Sequence, residues 1–168
     1  MLDQDGYRAN VGIVLLNQDN QVFWGRRKGE SSWQFPQGGI SENEDHTLAM
    51  FRELNEELGL AATDVEVIAH TKSWLYYDVP NAFIRNNRGV YKGQKQIWYL
   101  LKLIAKDHAI NVKLYKEQEF DAWLWIPYWQ AIDRVIYFKQ DVYKSALTEL
   151  SLYVSNINEI IEDRKSTR

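Results

Sequence analysis

The segment RELNEELGL, residues 52–60, puts Glu53, Glu56 and Glu57 just ahead of a glycine, and this combination constrains the fold more than any other feature of the chain. Gly59 stands where a left-handed residue closes a helix, and Ser41 with Glu44 has the S-x-x-E spacing of a capping box, so the punctuation predicts a helix over about residues 42–58. At 100° per residue, Phe51, Leu54 and Leu58 fall within about 60° and define a core stripe, while the three acids occupy a separate arc of about 100°. That arrangement is locally unfavourable. Glu53 and Glu57 lie one turn apart, a like-charge spacing that costs roughly 0.2–0.5 kcal/mol, and all three charges face the electronegative end of the helix. Something outside the helix must compensate.

The rest of the sequence says what kind of molecule carries this helix. Its 168 residues, 45% hydrophobic and 26% charged, suit one globular domain with a full core. The lack of cysteine excludes disulfides, thiolate zinc sites and thiol nucleophiles, and His46, His70 and His108 show no ligand spacing. A net charge of −3 argues against a broad basic surface for a long duplex, so any nucleic-acid contact is expected to be local. The opening MLDQDGYRAN is acidic where a signal peptide needs a basic and then an apolar run, and IWYLLKLIA is too short to span a bilayer. A cytoplasmic protein is expected.

Along the chain, VGIVLLNQDNQVFWGRR predicts a hairpin about Asn17–Asn20, and Pro36–Gly39 of WQFPQGG predicts a loop whose backbone approaches something closely. Strands are expected at 65–70, 73–77, 96–105 and 120–126, with a polar, turn-rich connection over 78–95 that includes Asn86, Asn87 and Gly89. From Gln140, the spacing of Val142, Ala146, Leu147, Leu150, Val154, Ile157 and Ile161 predicts a C-terminal helix, followed by a frayed EDRKSTR tail. The expected division is a domain over 1–155, with 156–168 holding the end of that helix and the tail.

Three carboxylates on one helix face suit hard divalent cations, which prefer oxygen ligands. Read outward, Gly38, Glu44, Arg52-Glu53-Leu54, Glu56-Glu57 and Gly59-Leu60 match every fixed position of G-x5-E-x7-R-E-U-x-E-E-x-G-U, where U is aliphatic. From average residue frequencies, a chance match in a chain this long is on the order of one in a million or rarer. The segment resembles the Nudix box. That resemblance implies an α/β/α sandwich with a mixed central sheet, and attack of water on a phosphoric anhydride assisted by Mg²⁺ or Mn²⁺, with more than one ion. In physical terms, Gly38 and Gly39 let the backbone approach metal or phosphate, Glu44 caps the helix, and Arg52 can orient Glu56 one turn away. Glu53, Glu57 and Arg52 are the catalytic candidates. Glu53 is the favoured base, although spacing cannot separate base from ligand among coupled acids.

The stretches DGYRANVGIVLLN, SWQFPQGGI, GQKQIWYLL, EFDAWLW and FKQDVY, in this order around the box, are similar to bacterial RNA pyrophosphohydrolases over about residues 3–150. The resemblance implies removal of pyrophosphate from the 5′-triphosphate end of single-stranded RNA, which promotes mRNA decay, and in some relatives activation by a diaminopimelate epimerase. Position by position it carries over a metal set of Gly38, Glu53, Glu56, Glu57 and Glu119. It also carries over a phosphate- and base-contacting set of Arg8, Arg27, Ser32, Gln34, Gln37, Tyr77, Gln94, Phe138 and Lys139. Related dinucleoside polyphosphate hydrolases share WQFPQGG and are the alternative. A non-catalytic nucleotide- or RNA-binding Nudix module is a third reading, but such a module would be free to lose box acids, and all are present here.

Overall fold

The computed structural model describes residues 2–84 and 90–154. Its sheet has eight strands: β1 (Tyr7–Leu16), β2 (Gln21–Arg27), β3 (Trp33–Gln34), β4 (Gln37–Gly39), β5 (Val65–His70), β6 (Leu75–Asp78), β7 (Gly93–Leu103) and β8 (Phe120–Pro127). The main order is β3-β2-β1-β7-β5, with β4 on β1, β6 on β7 and β8 on β2. Among the described residues, only β1 and β7 pair in parallel, from Tyr7 opposite Gly93 to Leu16 opposite Lys102, so the sheet is mixed as expected.

Alternation along β1 explains the layers. Val11, Ile13 and Leu15 face one core with Met50, Leu54 and Leu58 of α1 (His46–Leu58), while Val14 and Leu16 face a second core with Val142, Ala146 and Leu150 of α3 (Gln140–Ser151). The short α2 (Gln130–Arg134) joins that second layer through Ala131 and Ile132. Side chains two apart share a face of a strand, so one strand can feed both cores. The result is an α/β/α sandwich with β1 buried at its centre.

Several boundaries differ from the sequence reading. The hairpin turn is as expected: Asn17 Oδ1 accepts from the backbone N–H of Asp19 and Gln21, both at 2.9 Å, and Asn20 takes φ +59°. The Pro36–Gly39 segment is no simple loop, because Gln37–Gly39 forms β4 against Asn10–Gly12 of β1. Glycines are tolerated there because the strand is three residues long and one of them must make room for a side chain. Helix α1 starts at His46 rather than near 42. Asp45 is its N-cap, accepting from Thr47 N and Leu48 N, while Ser41 and Glu44 bond to each other in a separate turn closed by Asn43 at φ +64°. Gly59 caps the other end at φ +70°. Helix α3 ends at Ser151; Ile157, Ile161, the tail, and Asn86, Asn87 and Gly89 lie outside the described residues.

Candidate active site

Helix α1 is buried over a wider and shifted arc compared with the one Phe51, Leu54 and Leu58 define. Its buried residues are Ala49, Met50, Glu53, Leu54, Glu57 and Leu58, and Phe51 is only partly buried. At 100° per residue these six span about 180°, with Glu57 near the middle. Two carboxylates are therefore inside the protein: Glu53 is 9% exposed and Glu57 5%, whereas Glu56 faces solvent. Burial raises the pKa of both. For Glu53 the neighbouring Arg52 opposes the rise; for Glu57 the charges of Glu53, Glu119 and Glu56 add to it, and only a backbone hydrogen bond from Gln37 lowers it. Glu57 Oε2 is buried with no hydrogen-bond partner among the described residues.

Arg52 organises the outer side of this cluster. Its guanidinium donates to both oxygens of Glu44 at 2.9 Å, to Gly39 O at 2.8 Å, to Glu53 Oε1 at 2.7 Å and to Glu56 Oε2 at 3.3 Å. Arg52 and the Ser41 N–H hold the Glu44 carboxyl at a pKa of about 2. Glu44 is thus no helix cap: it is the anion that fixes the arginine, and the arginine in turn fixes Glu53 and reaches Glu56 as expected. Opposite them, Gly38 makes the close backbone approach. A Cβ there would fall 2.0 Å from Glu53 Cδ, whereas one at Gly39 would meet nothing within 4 Å. The approach is to a carboxylate of α1, and only one of the two glycines makes it.

Glu119 lies just before β8. Its carboxylate is 3.5 Å from Arg27 Nε, and its carbonyl accepts from Lys28 N at 2.8 Å. The β2–β8 ladder skips Asp121 at this point, and the Asp121 carboxylate instead holds Arg26 Nε at 2.7 Å and Gly29 N at 3.1 Å. The bulge fixes the bend that sets Arg27 beside Glu119. Among the described residues, no three acidic or imidazole groups stand close enough as arranged to enclose one ion. Three of the four expected acids are instead engaged with cations, Glu53 and Glu56 with Arg52 and Glu119 with Arg27.

Beside the acids opens a cleft of about 1190 Å³. Of the expected substrate-contacting residues, Arg8, Arg27, Ser32, Gln34, Tyr77, Gln94, Phe138 and Lys139 line it. Strand register brings three of them together: Arg8 on β1 is opposite Gln94 on β7, which is opposite Tyr77 on β6. Gln37 joins cleft to acids, since its backbone bonds to Glu57 while its side chain donates to Tyr77 Oη at 3.2 Å and accepts from Lys139 Nζ at 3.4 Å. Sequence reasoning missed Tyr91. Its ring lies 5.6 Å under the Arg8 guanidinium, and its hydroxyl accepts from Gln94 Nε2 at 2.8 Å. An isolated aromatic in the polar connection before β7 was the available signal. The Ser32 hydroxyl donates a long 3.4 Å bond to Glu30 Oε1, and its carbonyl accepts from Arg27 N at 2.9 Å.

Lys139 is buried, with Nζ 2.9 Å from Gln34 Oε1 and 5.7 Å from the Tyr77 ring centre. Burial, aided by the Arg27 charge and opposed by Glu119 and Glu30, lowers its pKa to about 8. Two consequences follow. The folded pKa lies below the ordinary 10.5, so this group's charge costs stability at neutral pH, and the cost is relieved as pH rises from about 8 towards 10.5. Affinity for a phosphorylated ligand should fall over the same range. KM measured from pH 6.5 to 9.5 should rise above pH ~8, up to tenfold per further pH unit, and Lys139→Gln should show a high KM without that inflection. An inflection that survives in Lys139→Gln would assign the titration elsewhere.

The model of the NUDIX domain matches residues 6–146 of this sequence. The chain belongs to the Nudix family. Solved structures agree in fold. A dihydroneopterin triphosphate pyrophosphohydrolase from E. coli superposes with a TM-score of 0.65 at 19% identity, covering 85% of this chain and 98% of its own. An Ap4A hydrolase from C. elegans gives 0.61 at 18% identity over 86% and 96%. A Nudix hydrolase structure from Listeria monocytogenes gives 0.53 at 24% identity over 86% and 90%. Nudix hydrolases act on phosphoric anhydrides and generally use divalent metal ions such as Mg²⁺. The donor set here fits that requirement: all-oxygen carboxylates, an unpartnered buried Glu57 oxygen, and a Cβ-free wall at Gly38 against Glu53. Among the described residues, no helix is long and apolar enough to cross a membrane.

Proposed function

We propose that this Nudix hydrolase removes pyrophosphate from the 5′-triphosphate end of single-stranded RNA. The observation that carries the reading is the cleft itself, where cationic side chains and ring faces alternate directly beside the acids: Arg8 over Tyr91, Lys139 over Tyr77, and Phe138 6.2 Å from Tyr77. Phosphates call for the first kind of group and unpaired bases for the second. A chain of net charge −3 can bind an RNA end in this way without a wide basic surface.

In this reading Glu53, Glu56, Glu57 and Glu119 hold divalent cations, which when bound neutralise phosphate oxygens and acidify water. The chain's own groups do the rest. Arg52, anchored by Glu44, holds the Glu53 carboxylate in place to accept the proton of the attacking water. Arg27 and Lys139 bind phosphate oxygens, and Gln34 and Gln37 hold the Lys139 ammonium towards them. Phe138 and Arg8 flank the first bases. The 5′ end of RNA is the macromolecular partner.

Direct competition tests the substrate. With Mg²⁺, equimolar 5′-triphosphorylated RNA and diadenosine tetraphosphate should be consumed with RNA favoured at least ~10-fold in kcat/KM, and the RNA should release pyrophosphate and keep a 5′-monophosphate. Cleavage of the dinucleotide alone at low enzyme concentration would reject the RNA assignment while leaving the Nudix chemistry intact.

A further inference from the structure

Two large rings at the mouth of the cleft are left without a role. Phe83, at the end of the single turn Asn81–Phe83, is 49% exposed, and Tyr137, at the start of the turn Tyr137–Lys139, is 63% exposed. Rings of this size ordinarily carry a domain's buried area. These two are not scattered. Phe83 is 5.1 Å from Phe138 and 6.4 Å from Tyr137, and Tyr137 is 5.5 Å from Phe138. Inward, Phe138 leads to Tyr77, and Tyr77 to the buried Lys139 ammonium. One unbroken path of rings therefore runs from a cation inside the cleft to solvent; Phe83 lines the cleft and Tyr137 stands just outside the lining.

The occupant of such a path must carry anionic groups at one end and flat π faces beyond them. A second copy of this chain or an apolar peptide would match the rings but not Arg8, Arg27 and Lys139 at the inner end. An unpaired nucleic acid strand matches both. Resting on the RNA reading above, we infer that Phe83 and Tyr137 form an outer stacking station for the base of a nucleotide downstream of the phosphorylated 5′ end. The two rings meet at 67°, so a base lying on one face meets the edge of the other. Stacking of this kind tolerates any base, and the station reads RNA length rather than sequence.

The test is a series of 5′-triphosphorylated oligoribonucleotides of one to four nucleotides, with kcat and KM measured separately. For the wild type, KM should fall as downstream nucleotides are added. Phe83→Ala and Tyr137→Ala should raise KM for the longer RNAs ~10-fold and flatten the dependence on length. Tyr137→Phe should retain the wild-type KM, whereas Tyr137→Leu, which keeps apolar bulk without a π face, should behave as the alanine variant. Tyr153→Ala, at an exposed tyrosine that does not line the cleft, is the control. Melting curves for all variants separate a stacking loss from a folding loss, and Tyr137→Leu decides the matter if Phe83→Ala is unstable. RNA hydrolysis with a KM indifferent to length, or unchanged in both alanine variants, overturns the inference alone. Failure of the wild type to hydrolyse any RNA overturns the RNA reading and the inference together.

Discussion

Gly38→Ala should reduce kcat at least ~100-fold with little change in melting temperature, the range expected when a catalytic carboxylate is displaced. The new Cβ would stand 2.0 Å from Glu53 Cδ and 2.2–2.3 Å from its oxygens, so one of the two must move. The backbone cannot retreat easily: Gly38 pairs with Val11 in the fully buried middle of β1. The Glu53 carboxyl, at the end of a flexible side chain, moves instead and gives up the 2.7 Å bond from Arg52. Folding is then spared and the site is not. Gly39→Ala is the matched control, with nothing within 4 Å of its Cβ, and should stay within about twofold of wild type. Equal losses in the two variants would mean that both glycines serve backbone conformation, and would remove Glu53 from the argument.

That contrast shows where the sequence was legible. The sequence reading has Gly38 and Gly39 alike approaching metal or phosphate, whereas only Gly38 comes close, and to the Glu53 carboxyl, because that partner comes from α1, fifteen residues on, and the pairing of β4 with β1 decides the geometry. The C-terminal cap was readable, since a lone Gly59 after an amphipathic run has few other uses. The N-terminal cap was not. Ser41 and Glu44 do exchange hydrogen bonds, but Asn43 in the left-handed region breaks the chain direction between them and hands the cap to Asp45. Local pattern gave the correct bond and the wrong element. A similar limit hid Tyr91 and Phe83: both lie in a connection whose polar composition predicts only turns, and their roles depend on strands β1 and β6 bringing Arg8 and Tyr77 to the same cleft.

The buried arc of α1 is the most consequential departure. The spacing of Phe51, Leu54 and Leu58 centres it close to Leu58 with Phe51 inside, whereas the buried face has Glu57 near its middle and Phe51 at its margin. Propensity and hydrophobicity alone would reject that placement, because a buried carboxylate without a countercharge costs several kcal/mol unless it is neutralised. Local and global preferences conflict here, as they do where function rather than stability fixes the residue.

Glu57→Gln should therefore separate the two demands: turnover should fall at least ~100-fold while the metal-free protein becomes more stable. Burial and the neighbouring acids raise the Glu57 pKa well above the ordinary carboxylate value in the folded state. Folded protein thus holds more protons than unfolded protein between the ordinary carboxylate pKa and the raised one, and stability declines as pH increases through that window. Glutamine keeps the shape and has no such charge. In EDTA at pH 8 the variant should melt at least ~2 °C above wild type, and the difference should vanish near pH 4, where both side chains are neutral. Saturating Mg²⁺ should reverse the order, because a cation binding only the folded state raises the wild-type Tm by mass action and gains less from a site with one carboxylate fewer. If wild type and variant melt together at every pH in EDTA, the strain assigned to Glu57 is absent; if Mg²⁺ leaves both curves where they were, the compensation for the crowded acids of RELNEELGL lies outside metal binding.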